Sequence, residues 1–192
     1  LSCGVIGSYS IIRRNSYMIG AVSHSLLGGI GLSRYLSVCC GMVFITPMLG
    51  AVLFAIIAAL IITLISNNSK IRSDTVLSAI WAVSVALGLC LVSAIPGYAE
   101  DLNSYLFGNI LLISGTDLIF MLVLDAAVLF CAWAFHSRFV TFCFHRETLA
   151  LHGISTFRTE LLLNVMSALA IVLMVQIAGI VLALALFTLP VA

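Results

Sequence analysis

Residues 41–66 read GMVFITPMLGAVLFAIIAALIITLIS, and no charged side chain interrupts them. A helix rises about 1.5 Å per residue, so roughly 20 apolar residues cover the hydrocarbon core of a bilayer. A run this long and this uniform predicts a membrane span, because a helix on a water-soluble core needs only one apolar stripe. Working outward, residues 15–33, 75–95 and 161–189 repeat the pattern, and 115–136 do so apart from Asp117 and Asp125. Residues 1–12 read as the tail of a further span. Residues 102–113 are apolar but too short to cross, and read as a half-helix or re-entrant piece. The expected fold class is all-α. It is a polytopic integral membrane protein of about five full transmembrane helices, a partial first span and a short extracytoplasmic half-helix.

Composition agrees. Of 192 residues, 63% are hydrophobic and 8% are charged. The mean hydropathy is +1.28. A soluble domain carries roughly 25% charged residues. The eight Lys/Arg and seven Asp/Glu cannot solvate a globule of this size, which excludes a soluble enzyme. A net charge of +1 offers no field for nucleic acid. Cys3, Cys39, Cys40, Cys90, Cys131 and Cys143 form neither a C-x-x-C motif nor a zinc knuckle, and most lie in apolar runs. They read as small buried residues. The chain begins at Leu1 inside an apolar stretch and stops at Ala192 just after another, so the expectation is an internal portion of a longer protein.

Lys and Arg concentrate on the cytoplasmic side of membrane proteins. Arg13 and Arg14 precede the second span, Lys70 and Arg72 lie between the third and fourth, and Arg138, Arg146 and Arg158 lie between the fifth and sixth. Placing these connections inside leaves only Arg34 outside. The segment 96–114 is then extracytoplasmic, provided that residues 102–113 do not cross. Pro96-Gly97 ends the fourth span. Ser114 and Asp117 form a plausible capping box for the fifth.

Polar groups at membrane depth are costly unless they face protein or water. His24 shares one helical face with Gly20 and Gly28, at i, i+4 and i+8. Small residues there let a neighbouring backbone approach, so the imidazole points into an interface or a pathway. It is a candidate metal ligand or gate, or a hydrogen bond between helices. Asp125 lies mid-span among Leu124, Ala126 and Ala127. It is a candidate in a cation pathway, or a paired structural carboxyl. Gln176, inside the sixth span, lines a pathway or bonds across an interface. Glu100 and Asp101 form a carboxylate pair at the outer mouth, suited to a divalent cation or a basic partner. The connection 137–160 is the longest polar segment. Its interleaved Phe142, Phe144, Leu149 and Leu151 predict a short amphipathic helix, on the membrane or in a partner's groove.

Enzyme signatures are absent: the sequence holds no H-E-x-x-H, G-x-S-x-G or Walker A motif. Asp117 and Asp125 lie about 12 Å apart along one helix, too far to share a proton. No catalytic residue is expected. Energy-driven work by this chain would draw on another subunit.

Four blocks carry a resemblance to a known family. The first is Arg13-Arg14 followed by Ser23-His24-Ser25-Leu26-Leu27-Gly28-Gly29-Ile30-Gly31. The second is Asp101-Leu102-Asn103-Ser104-Tyr105-Leu106-Phe107-Gly108-Asn109-Ile110-Leu111. The third is Glu147-Thr148-Leu149-Ala150-Leu151-His152-Gly153. The fourth runs from Gln176 through Gly179 to Pro190-Val191-Ala192. In this order they resemble the membrane permease of zinc/manganese/iron ATP-binding-cassette importers. The resemblance implies a homodimeric permease domain over 1–192, in a bacterial inner membrane. It implies ATP on a partner ATPase that docks on the 137–160 loop, with a coupling helix around 145–153 that includes His145, Arg146, Glu147, Ala150 and Gly153. It implies an extracytoplasmic metal-binding protein that delivers zinc, manganese or iron to the mouth, no covalently bound cofactor, and further helices after Ala192. Two departures stand out. Many members have an Asp four residues before the histidine, where this chain has Gly20. The family's D-P-E is His145-Arg146-Glu147 here. Two rivals are an ion-coupled secondary carrier using Asp125 and His24, and a non-transporting membrane scaffold.

Overall fold

The structure is a computed structural model that describes residues 2–13, 16–39, 47–66, 73–95, 115–144 and 155–188. Within them lie α1 (Ser2–Ile12), α2 (Ser16–Cys39), α3 (Pro47–Ser66), α4 (Ser73–Ser93), α5 (Gly115–Ala134), α6 (His136–Phe144) and α7 (Thr156–Thr188). Helices follow from the solvent: in hydrocarbon each backbone N–H and C=O must be satisfied within the segment.

The helices pack in two groups that share α7. α2 lies against α3 and α4, and α7 touches α1, α2, α3, α5 and α6. Val22, Leu26, Ala55, Ala59 and Ile171 pack together in the resulting core, all at most 1% exposed. Large apolar side chains also cover the outside. Leu122, Val123 and Trp133 on α5 are 63%, 64% and 79% exposed. Such a surface is at home against lipid.

Glycines set how closely α2 meets its neighbours. A Cβ on Gly29 would lie 2.5 Å from the backbone oxygen of Gly50 on α3. One on Gly31 would lie 2.8 Å from that of Gly88 on α4. Gly28 faces the Ser84 carbonyl of α4, and Phe54 of α3 reaches both Gly28 and Gly29. The register rises together along α2 and α4, so these two helices run parallel. It runs oppositely along α2 and α3. Backbone contact of this kind maximises packing where lipid offers no hydrophobic driving force between helices.

The all-α, multi-span architecture agrees with the sequence, but its details differ. By length and composition, Pro47–Ser66 and Thr156–Ile180 each suffice to cross a membrane among the described residues. Leu118–Ala134 with His136–Phe144 makes a third, bent by 67°. α4 offers a shorter apolar stretch, Leu77–Ser93. The helix expected to span over 15–33 does not stop there: α2 continues to Cys39, carries Arg34 within it, and is not among the stretches that suffice to cross by length and composition. The last helix starts at Thr156, ahead of the expected 161, and so includes Arg158 and Glu160. The segment 137–160 is not simply a loop, because α6 occupies its first part. In α6, Phe139 and Phe142 are buried while Arg138 is exposed. The amphipathic piece described is therefore 136–144. The half-helix at 102–113 and the coupling helix around 145–153 lie outside the described residues.

The end of α1, the end of α3 and the start of α7 meet at one end of the bundle. Arg13 and Ser66 both bond Glu160 there. The three connections richest in Lys and Arg thus share an end, as the orientation read from the sequence requires.

Candidate functional site

His24 sits on the face of α2 that meets α4. Its ring stacks on Trp81, with centroids 4.5 Å apart and planes 12° from parallel. The stack engages one face of the imidazole and leaves its edge, where both nitrogens lie. One turn on, Gly28 packs on Ser84, and one turn back, Gly20 is half-buried on the same face. The neighbouring Ser23 is fully buried, and its hydroxyl has no hydrogen-bond partner among the described residues. Ser25 returns its hydroxyl to the Val22 carbonyl at 2.7 Å. The Gly20–His24–Gly28 face is thus an interface between helices, with an imidazole edge and an unsatisfied hydroxyl beside it.

Asp125 lies elsewhere. Its Oδ1 accepts from the Ser2 hydroxyl and, at 3.3 Å, from the Ser2 backbone N–H. The carboxylate therefore ties α5 to α1. His24 and Asp125 serve different helix pairs. Gln176 is half-buried on α7, three residues before Gly179. Gly179 has φ 77° and ψ 166°, a conformation open essentially to glycine alone, and it breaks the helix there. Glu100, Asp101, His145, Arg146, Glu147, Ala150 and Gly153 lie outside the described residues. Among the described residues, no three His, Cys, Asp or Glu side chains converge where they could hold a metal ion.

A second polar constellation is not singled out by the sequence reading. Glu160, Asn164 and Ser167 recur along one face of α7, and all three are buried. Glu160 Oε1 accepts from Arg13 Nη2 at 3.0 Å and from the Ser66 hydroxyl at 3.1 Å. Asn164 Nδ2 donates to Thr63 Oγ1 at 2.9 Å. The Ser167 and Ser10 hydroxyls lie 3.0 Å apart. The Arg13 guanidinium also lies over Phe142, 4.5 Å from the ring centre. A polar seam thus runs along α7 against α1 and α3. The i, i+4, i+7 spacing was the available signal. Assigning Glu160 to a loop hid it.

The wider comparisons extend this picture. The sequence profile of the ABC 3 transport family matches residues 1–192. The "Probable metal transport system membrane protein" of Chlamydia trachomatis is 32% identical over all of this chain and 65% of its own length. The "Manganese transport system membrane protein MntC" of Listeria monocytogenes is 31% identical over 98% of this chain and 65% of its own. The chain thus spans about two thirds of the length of these curated relatives. Among solved structures, PsaBC from Streptococcus pneumoniae in complex with Fab superposes with a TM-score of 0.81 at 31% identity, covering 99% of this chain and 66% of that one. Apolar helices, glycine-tight packing and an end-to-end match converge: this multi-pass protein of the bacterial cell membrane belongs to the ABC 3 transport family.

Proposed function

We propose that the chain is the membrane permease of an importer for a divalent transition metal, with manganese the first ion to test ahead of zinc and iron. The observation that carries this reading is the match along nearly the whole chain to relatives named for metal and manganese transport. Two copies form the pathway, and ATP is hydrolysed on a partner ATPase. That ATPase docks on the segment bearing His145, Arg146, Glu147, Ala150 and Gly153. An extracytoplasmic metal-binding protein delivers the ion to Glu100 and Asp101. His24 lends an imidazole edge to a transient site in the pathway. Such a site needs open positions, because a closed cage would trap the ion. Asp125 is assigned to holding α5 on α1, since Ser2 already engages its carboxylate.

The test uses the full-length permease with its ATPase and binding protein in proteoliposomes, loaded in turn with manganese, zinc and iron. Uptake of one metal that requires ATP is expected. Metal uptake without ATP would replace the reading with a secondary carrier, and no uptake at all would leave a scaffold.

A further inference from the structure

At the elbow between α5 and α6 lies a cavity of about 620 Å³, lined by Phe135, Arg138, Phe139, Ser155, Arg158, Thr159 and Leu162. Its composition is divided. Phe135, Phe139 and Leu162 form an apolar wall, and Arg138 and Arg158 bring two guanidinium groups. Both arginines are exposed, and neither forms an ion pair among the described residues. The Arg138 guanidinium lies over the Phe135 ring at 5.3 Å, which restrains its direction. Ser155 opens α7, and its hydroxyl accepts the Arg158 N–H at 3.4 Å. The positive N-terminal end of α7 therefore adds to the same field.

The position matters as much as the charge. α5 presents Leu122, Val123, Phe130 and Trp133 outward. The chain then bends by 67° into α6, whose Phe144 is 64% exposed. The cavity thus sits where a lipid-facing helix ends and a short amphipathic helix turns away from its axis. A ligand there meets two positive charges and an apolar wall at once. Guanidinium groups bind phosphate oxygens in bidentate fashion. Basic pockets beside transmembrane helices on the cytoplasmic side suit anionic phospholipid headgroups.

We propose that this cavity binds the headgroup of an anionic phospholipid, its phosphate held between Arg138 and Arg158 and its acyl chains lying along the exposed face of α5. The site is independent of the transported ion. It flanks the segment on which an ATPase would dock, so its occupant stands beside the moving parts.

The test is native mass spectrometry of the full-length permease released from nanodiscs of equal phosphatidylglycerol and phosphatidylcholine. Retained phosphatidylglycerol should exceed phosphatidylcholine at least several-fold, and R138Q/R158Q should remove most of that excess. Both side chains are exposed, so the double variant spares the core, which its thermal midpoint in detergent checks. Should it unfold, R138Q and R158Q singly carry the test, each losing part of the excess. An excess unchanged by these variants, or no excess in the wild type, overturns the proposal. Millimolar inorganic phosphate or ATP that displaces the lipid fully would make this a soluble-phosphate site instead. Displacement by the purified partner ATPase would make it a protein contact. Either result overturns the lipid assignment.

Discussion

Arg13 Nη2 lies 3.0 Å from Glu160 Oε1, and the two side chains are 15% and 1% exposed. They are 147 residues apart in sequence. The bridge joins the end of α1 to the first turns of α7, and the Ser66 hydroxyl brings α3 to the same carboxylate. Removing one partner of a buried pair leaves the other charge poorly compensated, at a cost of about 3–5 kcal/mol. Arg13→Met and Glu160→Leu should each lower the thermal midpoint of the full-length permease in detergent. The double variant should recover much of the loss. Purely additive losses would show that the bridge is not what couples these helices.

The glycine seam predicts opposite outcomes for one kind of substitution. Alanine at Gly29 or Gly31 places a methyl group 2.5–2.8 Å from backbone oxygens, so the helices must part. Overpacking of this kind costs about 1–3 kcal/mol. Alanine at Gly4 meets nothing within 4 Å and should gain up to about 1 kcal/mol of helix propensity. Thermal midpoints of the three variants, compared in one detergent, check this. Equal effects at all three positions would contradict the close approach of α2 to α3 and α4.

Gly179→Ala isolates the break in α7. At φ 77° and ψ 166° an alanine is strained by about 1–3 kcal/mol, so the variant should either lose stability or straighten the helix. A straightened α7 should reduce ATP-dependent metal uptake even where the protein remains folded. Cysteine pairs placed either side of residue 179 and labelled for distance measurement would report the bend. Unchanged distance and unchanged uptake would rule out a role for it.

His24 and its stack on Trp81 separate packing from coordination. His24→Phe keeps a planar ring against Trp81 but has no nitrogen to offer. The thermal midpoint of this variant should stay near wild type, while ATP-dependent manganese uptake falls at least tenfold. His24→Ala should lose both. Full uptake by His24→Phe would reduce the residue to helix packing.

Asp125→Asn keeps an oxygen for Ser2, whereas Asp125→Leu does not. Losing the bond and stranding a buried hydroxyl costs about 1–3 kcal/mol. Uptake should survive in the asparagine variant, and stability should fall in the leucine variant. Uptake abolished by Asn with stability intact would return the carboxylate to the cation pathway.

Much of this protein is written in its local sequence. The charge-free runs fixed a multi-helix membrane protein, because lipid forces each apolar segment to satisfy its own backbone. The spacing of Gly20, His24 and Gly28 marked one face of α2 as an interface, since small residues on one side of a helix invite another backbone. Which backbone answers is not local information. Trp81, Ser84 and Gly88 meet that face only because α2 and α4 run parallel in the folded chain. The fate of Asp125 was undecided for the same reason: its partner Ser2 is 123 residues away. Glu160 shows the converse. Its charge argued for a loop, yet it is buried, because Arg13 and Ser66 arrive from two other helices to compensate it. Hydropathy is a property of a segment and can be read from the segment. Compensation of a buried charge is a property of a meeting place, and only the tertiary structure brings the partners to it.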